Sequence, residues 1–281
     1  MMTRLFRRPL AAAHAIAGAA FVAALALPGG LTPGAVAQDL TDAQAIVDRA
    51  SAASYYQGPD GRARVHMSIT DAQGRERSRD FTILRTDIDD RDNGEQRFYV
   101  HFSRPADVNG TVFMVWKHVG ADDDRWLYLP ALDLVKRIAA SDERTSFVGS
   151  HFFYEDVSGR GPREDTHSLA QTTDTYYVVD SEPKDPSKAE FARYRNYIHK
   201  DTFLPVKTEY FDGQGKVYRT YTVEQVETID GHPTVTRARM ADSQIGGATV
   251  MRYSSVAYDV GLPQDVFTER YLRNPPRQHL R

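Results

Sequence analysis

The chain has 281 residues and no cysteine. Disulfides are therefore excluded as a source of stability, and so is a lipid anchor attached through an N-terminal cysteine. A fold without such cross-links must rest on buried apolar surface. An excess of positive charge is also lacking: 35 basic residues stand against 38 acidic ones, a formal net charge of −3. Residues 1–37 hold three arginines and no acid, so the rest of the chain carries −6. That balance disfavours nucleic acid or an anionic membrane surface as the main partner. There is no nucleotide-binding glycine loop and no low-complexity tract after residue 37. Helical crossovers between strands are missing too, which excludes a parallel α/β sheet.

Present at the N-terminus is the pattern of an export signal. Arg4, Arg7 and Arg8 precede an apolar stretch over 10–27, and Ala35-Val36-Ala37 supplies small residues for cleavage. A membrane anchor is the competing reading, since the apolar run is long, but Pro28-Gly29-Gly30 before the Ala-x-Ala site favours cleavage. The expectation is a signal peptide over 1–37, a mature chain starting at Gln38, and one soluble domain over 38–281. Its 244 residues suffice for one large β domain.

Residues 40–54 read as a helix: Thr41 or Asp42 serves as cap, and Ala43, Ile46, Val47 and Ala50 recur at helical spacing. Beyond it the period shifts towards two. Eleven strands are expected, at 63–69, 76–88, 97–103, 111–117, 125–129, 175–179, 194–199, 205–211, 217–226, 234–240 and 249–258. Turns such as Asp92-Asn93-Gly94, Asp212-Gly213 and Asp230-Gly231 separate several of them. Segments 157–167 and 181–188 read as loops. Eleven strands exceed what one flat sheet holds, so the sheet must curl.

The stretch 126–157 and its neighbour 98–116 concentrate the aromatics. Thr111-Val112-Phe113-Met114-Val115-Trp116 has almost no polar alternation, so such a strand is covered on both faces. One cover is expected to be the helix over 40–54, and core packing or an apolar ligand are both open for the other.

Polar candidates are weaker. His151 precedes Glu155 by four residues and Asp156 by five, a spacing that suits a site only on a helix, and a structural histidine is the favoured reading. Gly149-Ser150-His151 lacks the second glycine of a nucleophile elbow. Asp122-Asp123-Asp124 resembles a fragment of a calcium loop but lacks its glycine and distal Glu, and reads as a solvated turn before the strand at 125–129. Neither a metal nor a cofactor is expected. Lys136-Arg137 reads as the exposed side of a strand.

Phe102-Ser103-Arg104-Pro105-Ala106-Asp107-Val108-Asn109-Gly110-Thr111 resembles a segment of the LolA-like family of outer-membrane lipoprotein-sorting proteins. Trp126-Leu127-Tyr128-Leu129-Pro130-Ala131, Lys136-Arg137-Ile138, Ser146-Phe147-Val148-Gly149-Ser150, Tyr154-Glu155-Asp156 and Val266-Phe267-Thr268-Glu269-Arg270-Tyr271-Leu272 are similar to further signatures of that family. The resemblance spans roughly residues 40–272. It implies a mainly β fold, a curled antiparallel sheet forming an incomplete β-barrel, with a few helices over a hydrophobic cavity. It further implies a non-enzymatic periplasmic carrier of acylated lipids or lipoproteins that serves outer-membrane biogenesis. An RND-type (MMPL-like) inner-membrane exporter and an outer-membrane acceptor are the implied partners.

The residues expected to line such a cavity are Phe98, Val100 and Phe102, which share a strand face, with Phe113 and Val115 beside them, Trp126 and Tyr128 on another strand, and Phe152 near the rim. The alternate faces of these strands are also partly apolar. Two rival functions accompany the carrier: a lipid-modifying hydrolase using His151 with Glu155 or Asp156, and a non-catalytic envelope adaptor docking through the aromatic wall.

Overall fold

Asp42 starts the first element. Its carboxylate accepts a hydrogen bond from the Gln44 amide at 2.9 Å, and α1 spans Ala43–Tyr55 with Ala43, Ile46, Val47 and Ala50 buried. The helix expected from residue 40 thus begins three residues later, because residue 42 supplies the cap. The computed structural model describes residues 39–281 except 90, 140, 141 and 143. The expected signal peptide, its cleavage point and Gln38 lie outside the described residues. No helix among the described residues is long and apolar enough to cross a membrane.

Thirteen strands follow: β1 (Asp60–Asp71), β2 (Glu76–Asp87), β3 (Gln96–Arg104), β4 (Val112–Lys117), β5 (Asp124–Leu129), β6 (Leu134–Ile138), β7 (Asp165–Thr172), β8 (Tyr176–Pro183), β9 (Arg193–His199), β10 (Pro205–Phe211), β11 (Val217–Ile229), β12 (His232–Asp242) and β13 (Gly247–Tyr258). A short helix, α2 (Tyr154–Ser158), lies between β6 and β7, and one helical turn, α3 (Arg270–Arg273), lies in the C-terminal tail. β6 and β7 fall outside the eleven expected strands, and the expected 157–167 loop ends at Asp165, where β7 begins.

All thirteen strands join one antiparallel sheet in the order β6-β5-β4-β3-β2-β1-β13-β12-β11-β10-β9-β8-β7. Two meanders therefore run outward from the central β1·β13 pair. The sheet does not close, because β6 and β7 remain as its edges. It is the expected mainly β architecture, an incomplete barrel with few helices.

Register decides which side chain faces which side. Val100 stands opposite Phe113 and Ile83, whereas Tyr99 stands opposite Met114, which in turn faces Trp126. Phe81, Phe98, Val100, Phe102, Phe113 and Val115 thus enter an inner cluster, and Leu84, Tyr99, Met114 and Trp126 an outer one. The tail covers the outer face through Leu262, Val266, Phe267 and Leu272. It is pinned there by Tyr99 Oη donating to the Tyr271 carbonyl and Trp116 Nε1 donating to the Phe267 carbonyl, both at 2.7 Å. The inner face of the same strands is covered by Phe147, Phe152 and Tyr154 from the segment between β6 and β7. Burying each such large apolar side chain contributes about 1.5–3 kcal/mol. The helix expected to cover these strands lies elsewhere: α1 packs on Tyr177, Val179 and Ile198 of β8 and β9.

Candidate functional site

The segment joining the two sheet edges passes through the interior and shapes the site. It is anchored by Phe147, fully buried, whose ring lies 5.6–5.9 Å from those of Phe81, Phe102, Phe113 and Tyr154. Val148, at φ 49°, sits in the left-handed region that a β-branched residue seldom adopts, and Gly149 follows at φ 78°. α2 is fastened by Lys117, whose buried ammonium donates to the Ser158 and Gly159 carbonyls at 2.9 Å each. These carbonyls close the C-terminal end of α2, where a cation is favoured. Burial pulls the Lys117 pKa below its ordinary value.

Behind that fastening lies a network of buried charges. Glu155 is bound by Arg144 and, at 2.9 Å, by Arg160, which also holds Asp165. Arg144 in turn bonds Glu190. Burial pushes the Glu155 carboxyl up, but the Arg144 and Arg160 guanidiniums prevail and hold it below the usual carboxylate range. Arg219, fully buried, bonds Asp156 and the His151 carbonyl.

Between α1, α2 and the sheet is a cavity of about 360 Å³, within the range that holds small organic ligands. Its walls differ by element. Phe81 and Ile83 of β2, Phe98 of β3, Met240 of β12 and Met251 of β13 give an apolar wall, with Phe152 from the crossing segment. Tyr194, Tyr210, Tyr221 and Tyr253 of β9, β10, β11 and β13 line it as well, with Tyr55 from α1. Desolvation pushes all five phenols upward, Tyr253 to about 12, so each stays a neutral donor around neutral pH.

Of the aromatic residues expected to line a cavity, Phe98 and Phe152 do so. Val100, Phe102, Phe113 and Val115 belong to the same inner cluster but pack under Phe147 and Tyr154 rather than bordering the open volume. Trp126 and Tyr128 are on the opposite side. Met114 pairs with Trp126 and Val112 with Tyr128, so both side chains join the outer cluster under the tail. Sequence reasoning missed Ile83, Met240, Met251 and the tyrosines; in each strand the signal was the apolar or phenolic residue at alternate positions.

The polar candidates have other partners. His151 Nε2 donates to the Gly246 carbonyl at 3.0 Å and Nδ1 meets Thr249 Oγ1 at 2.8 Å, so both ring nitrogens are engaged away from Glu155 and Asp156. No acid–base pair is assembled there. Asp122 binds Lys188, Asp123 binds Arg125, and Asp124 binds Arg137 and His118. Among the described residues no group of three or more His, Asp or Glu side chains is placed to hold a metal.

Gly159 controls how closely α2 approaches α1. It has φ 78°, and a Cβ there would lie 2.7 Å from the Tyr55 ring. Gly159→Ala is expected to cost about 2 kcal/mol in backbone strain alone. The Tyr55 ring must also move into the cavity, so thermal unfolding should shift down and ligand capacity fall together.

A family model of uncharacterized proteins matches residues 94–274. No curated protein matches significantly in sequence. Among solved structures, one from Desulfovibrio piger, a DUF1329 family protein, is 30% identical with a TM-score of 0.74, and the match covers 82% of this chain and 97% of that one. An outer membrane lipoprotein-sorting protein domain from Vibrio parahaemolyticus is 25% identical at the same TM-score, over 82% and 98% of the two chains. A LolA superfamily protein from Nitrosomonas europaea shares the fold at 21% identity and TM-score 0.63, over 83% of this chain and all of that one.

Proposed function

Because the chain belongs to the DUF1329 family of LolA-like proteins, we propose that it is a carrier that holds the acyl chains of lipids or lipoproteins in its interior cavity. The observation that carries this reading is the cavity itself. It is walled by Phe81, Ile83, Phe98, Phe152, Met240 and Met251, and methionine and aromatic side chains suit a flexible apolar ligand. Each methylene moved from water into such a wall gains about 0.8 kcal/mol, so loading requires no covalent chemistry. Release needs a competing apolar site on an acceptor.

In this reading the chain is exported, cleaved after Ala37 and active in the periplasm as one domain over 38–281. It receives cargo at the inner membrane, from an RND-type exporter, and delivers it towards an acceptor at the outer membrane. The relative from Vibrio parahaemolyticus, described as a lipoprotein-sorting domain, supports that direction. Phe98 and Phe152 keep their proposed role as lining residues, while Val100, Phe102, Phe113 and Val115 support the wall from beneath.

Mass spectrometry of extracts from the purified protein should reveal co-purifying acylated molecules. The matching variant is Ile83→Trp, which places an indole in the cavity from a half-buried position. It is expected to stay folded and to bind a fluorescent fatty acid at least tenfold more weakly, because the added ring occupies the space of several methylenes. A folded Ile83→Trp protein with unchanged uptake, together with lipid-free extracts, would contradict the carrier reading.

A further inference from the structure

Several buried tyrosines away from the open cavity have hydrogen-bond partners for their hydroxyls. Tyr99 donates to the Tyr271 carbonyl at 2.7 Å, Tyr177 accepts from the Leu40 amide at 3.1 Å, and Tyr218 donates to Glu190 at 3.1 Å. Tyr194, at the cavity margin, donates to Asp165 at 2.6 Å. Tyr210 and Tyr221 behave differently: neither hydroxyl has a hydrogen-bond partner among the described residues, although both side chains line the cavity. Tyr253 reaches only the Met251 thioether at 3.3 Å, and Tyr55 only the Asp156 carbonyl at 3.5 Å, the outer limit of a hydrogen bond. These tyrosines are half-buried and their oxygens are not sealed from water, so an occupant that displaced that water would have to pair with them.

These four phenols are arranged rather than scattered. Tyr210, Tyr221 and Tyr253 come from β10, β11 and β13, on one side of the β1·β13 pair, and Tyr55 from α1 above. Phe81, Ile83 and Phe98, from β2 and β3, stand on the other side. The phenols therefore stand together on one side of the cavity, beside Met240 and Met251, and the hydrocarbon of β2 and β3 faces them. A bare hydrocarbon would satisfy one half and leave the other unpaired. The Arg85 guanidinium is engaged by Asp87 and two backbone carbonyls, and Arg160 by Glu155 and Asp165. Arg62 lines the cavity as well, and its buried Nε has no hydrogen-bond partner among the described residues.

Resting on the carrier reading above, we propose that the preferred cargo is an acyl ester, held with its hydrocarbon end against β2 and β3 and its ester oxygens accepting hydrogen bonds from Tyr210 and Tyr221. Tyr253 and Tyr55 stand ready as further donors to the same group. The phenols thus select an oxygen-bearing lipid over a naked chain of equal length.

The test displaces a bound fluorescent fatty acid from the full-length mature protein with methyl decanoate and, separately, with dodecane, two chains of equal length that differ in the ester. The wild type is expected to bind the ester roughly fivefold more tightly for each hydrogen bond gained. In Tyr210→Phe and Tyr221→Phe the preference should shrink, and in the double variant the two affinities should converge. Removing a hydroxyl that has no protein partner leaves packing intact, so thermal unfolding of the variants should match the wild type. Equal binding of ester and hydrocarbon by the wild type, with the fluorescent probe still bound, overturns the ester preference and leaves the carrier reading standing. A preference that survives in the double variant overturns the assignment to these tyrosines. Failure of every probe to bind overturns the carrier reading and this proposal with it.

Discussion

Glu155→Gln is expected to lower stability by about 3 kcal/mol, the low end for breaking a buried ion pair from one side. The Glu155 side chain is only 3% exposed and the side chains of its partners Arg144 and Arg160 7% and 12%. Glutamine keeps the shape and one acceptor but removes the charge that both guanidiniums face. Asp165 and Glu190 retain part of the pairing, which keeps the loss from being larger. For a domain of this size the melting temperature should fall by roughly 6–12 °C. The pH dependence carries a second signature. The folded carboxyl titrates below the ordinary value of 4.5 because of Arg144 and Arg160. Its contribution is therefore complete above the unfolded value and is lost as pH falls through the depressed folded one. Wild-type stability should decline steeply in that acid window, and the Glu155→Gln protein should decline less. Parallel acid limbs in the two proteins would show that the network does not hold Glu155 ionised.

Phe147→Ala should cost about 3–5 kcal/mol, the range for emptying a fully buried aromatic site. The ring contacts four others, and no neighbouring backbone is free to collapse into the space, since Phe81, Phe102 and Phe113 sit on paired strands. A local effect compounds the global one. The left-handed turn at Val148 is strained, and anchoring by Phe147 is what keeps it in place. Without the anchor the crossing segment should open before the sheet does. Amide exchange in residues 145–158 is expected to quicken by more than the global loss of stability accounts for. Uniform quickening across β1 to β13 would instead mean that segment and sheet unfold as one.

Much of the fold was legible from residue patterns because the hairpins are local. Asp-Gly turns and period-two alternation identify β11, β12 and their neighbours without long-range information. β6 and β7 escape for a physical reason. β7 reads Asp-Thr-His-Ser-Leu-Ala-Gln-Thr, an edge strand exposed on most of its length, so it carries little apolar alternation. β6 has five residues, three of them exposed. The site was partly legible. The apolar runs of β3 and β4 announced cover on both faces, but which residue faces inward depends on the register between strands. The connection between β4 and β5 sets Trp126 opposite Met114 instead of Phe113, and a shift by one residue would have reversed the assignment. The tyrosines were invisible as a group because they come from four separate elements. Only the sheet order brings them to one cavity.

The seam between β1 and β13 has a kinetic meaning. Val65 pairs with Tyr253 and Met67 with Met251, so the first and last strands meet across almost the whole chain. Each meander can form from contacts between consecutive hairpins, which close quickly. The seam must await the final strand, and such a high contact order makes it the slow step of folding. Until it forms, β1 and β13 are both unpaired edges, open to pairing with another chain. The cavity has walls on both sides of that seam, so an empty, sticky half-barrel is the species that precedes it. A chain of this topology gains its binding site and loses its most aggregation-prone edges in the same event.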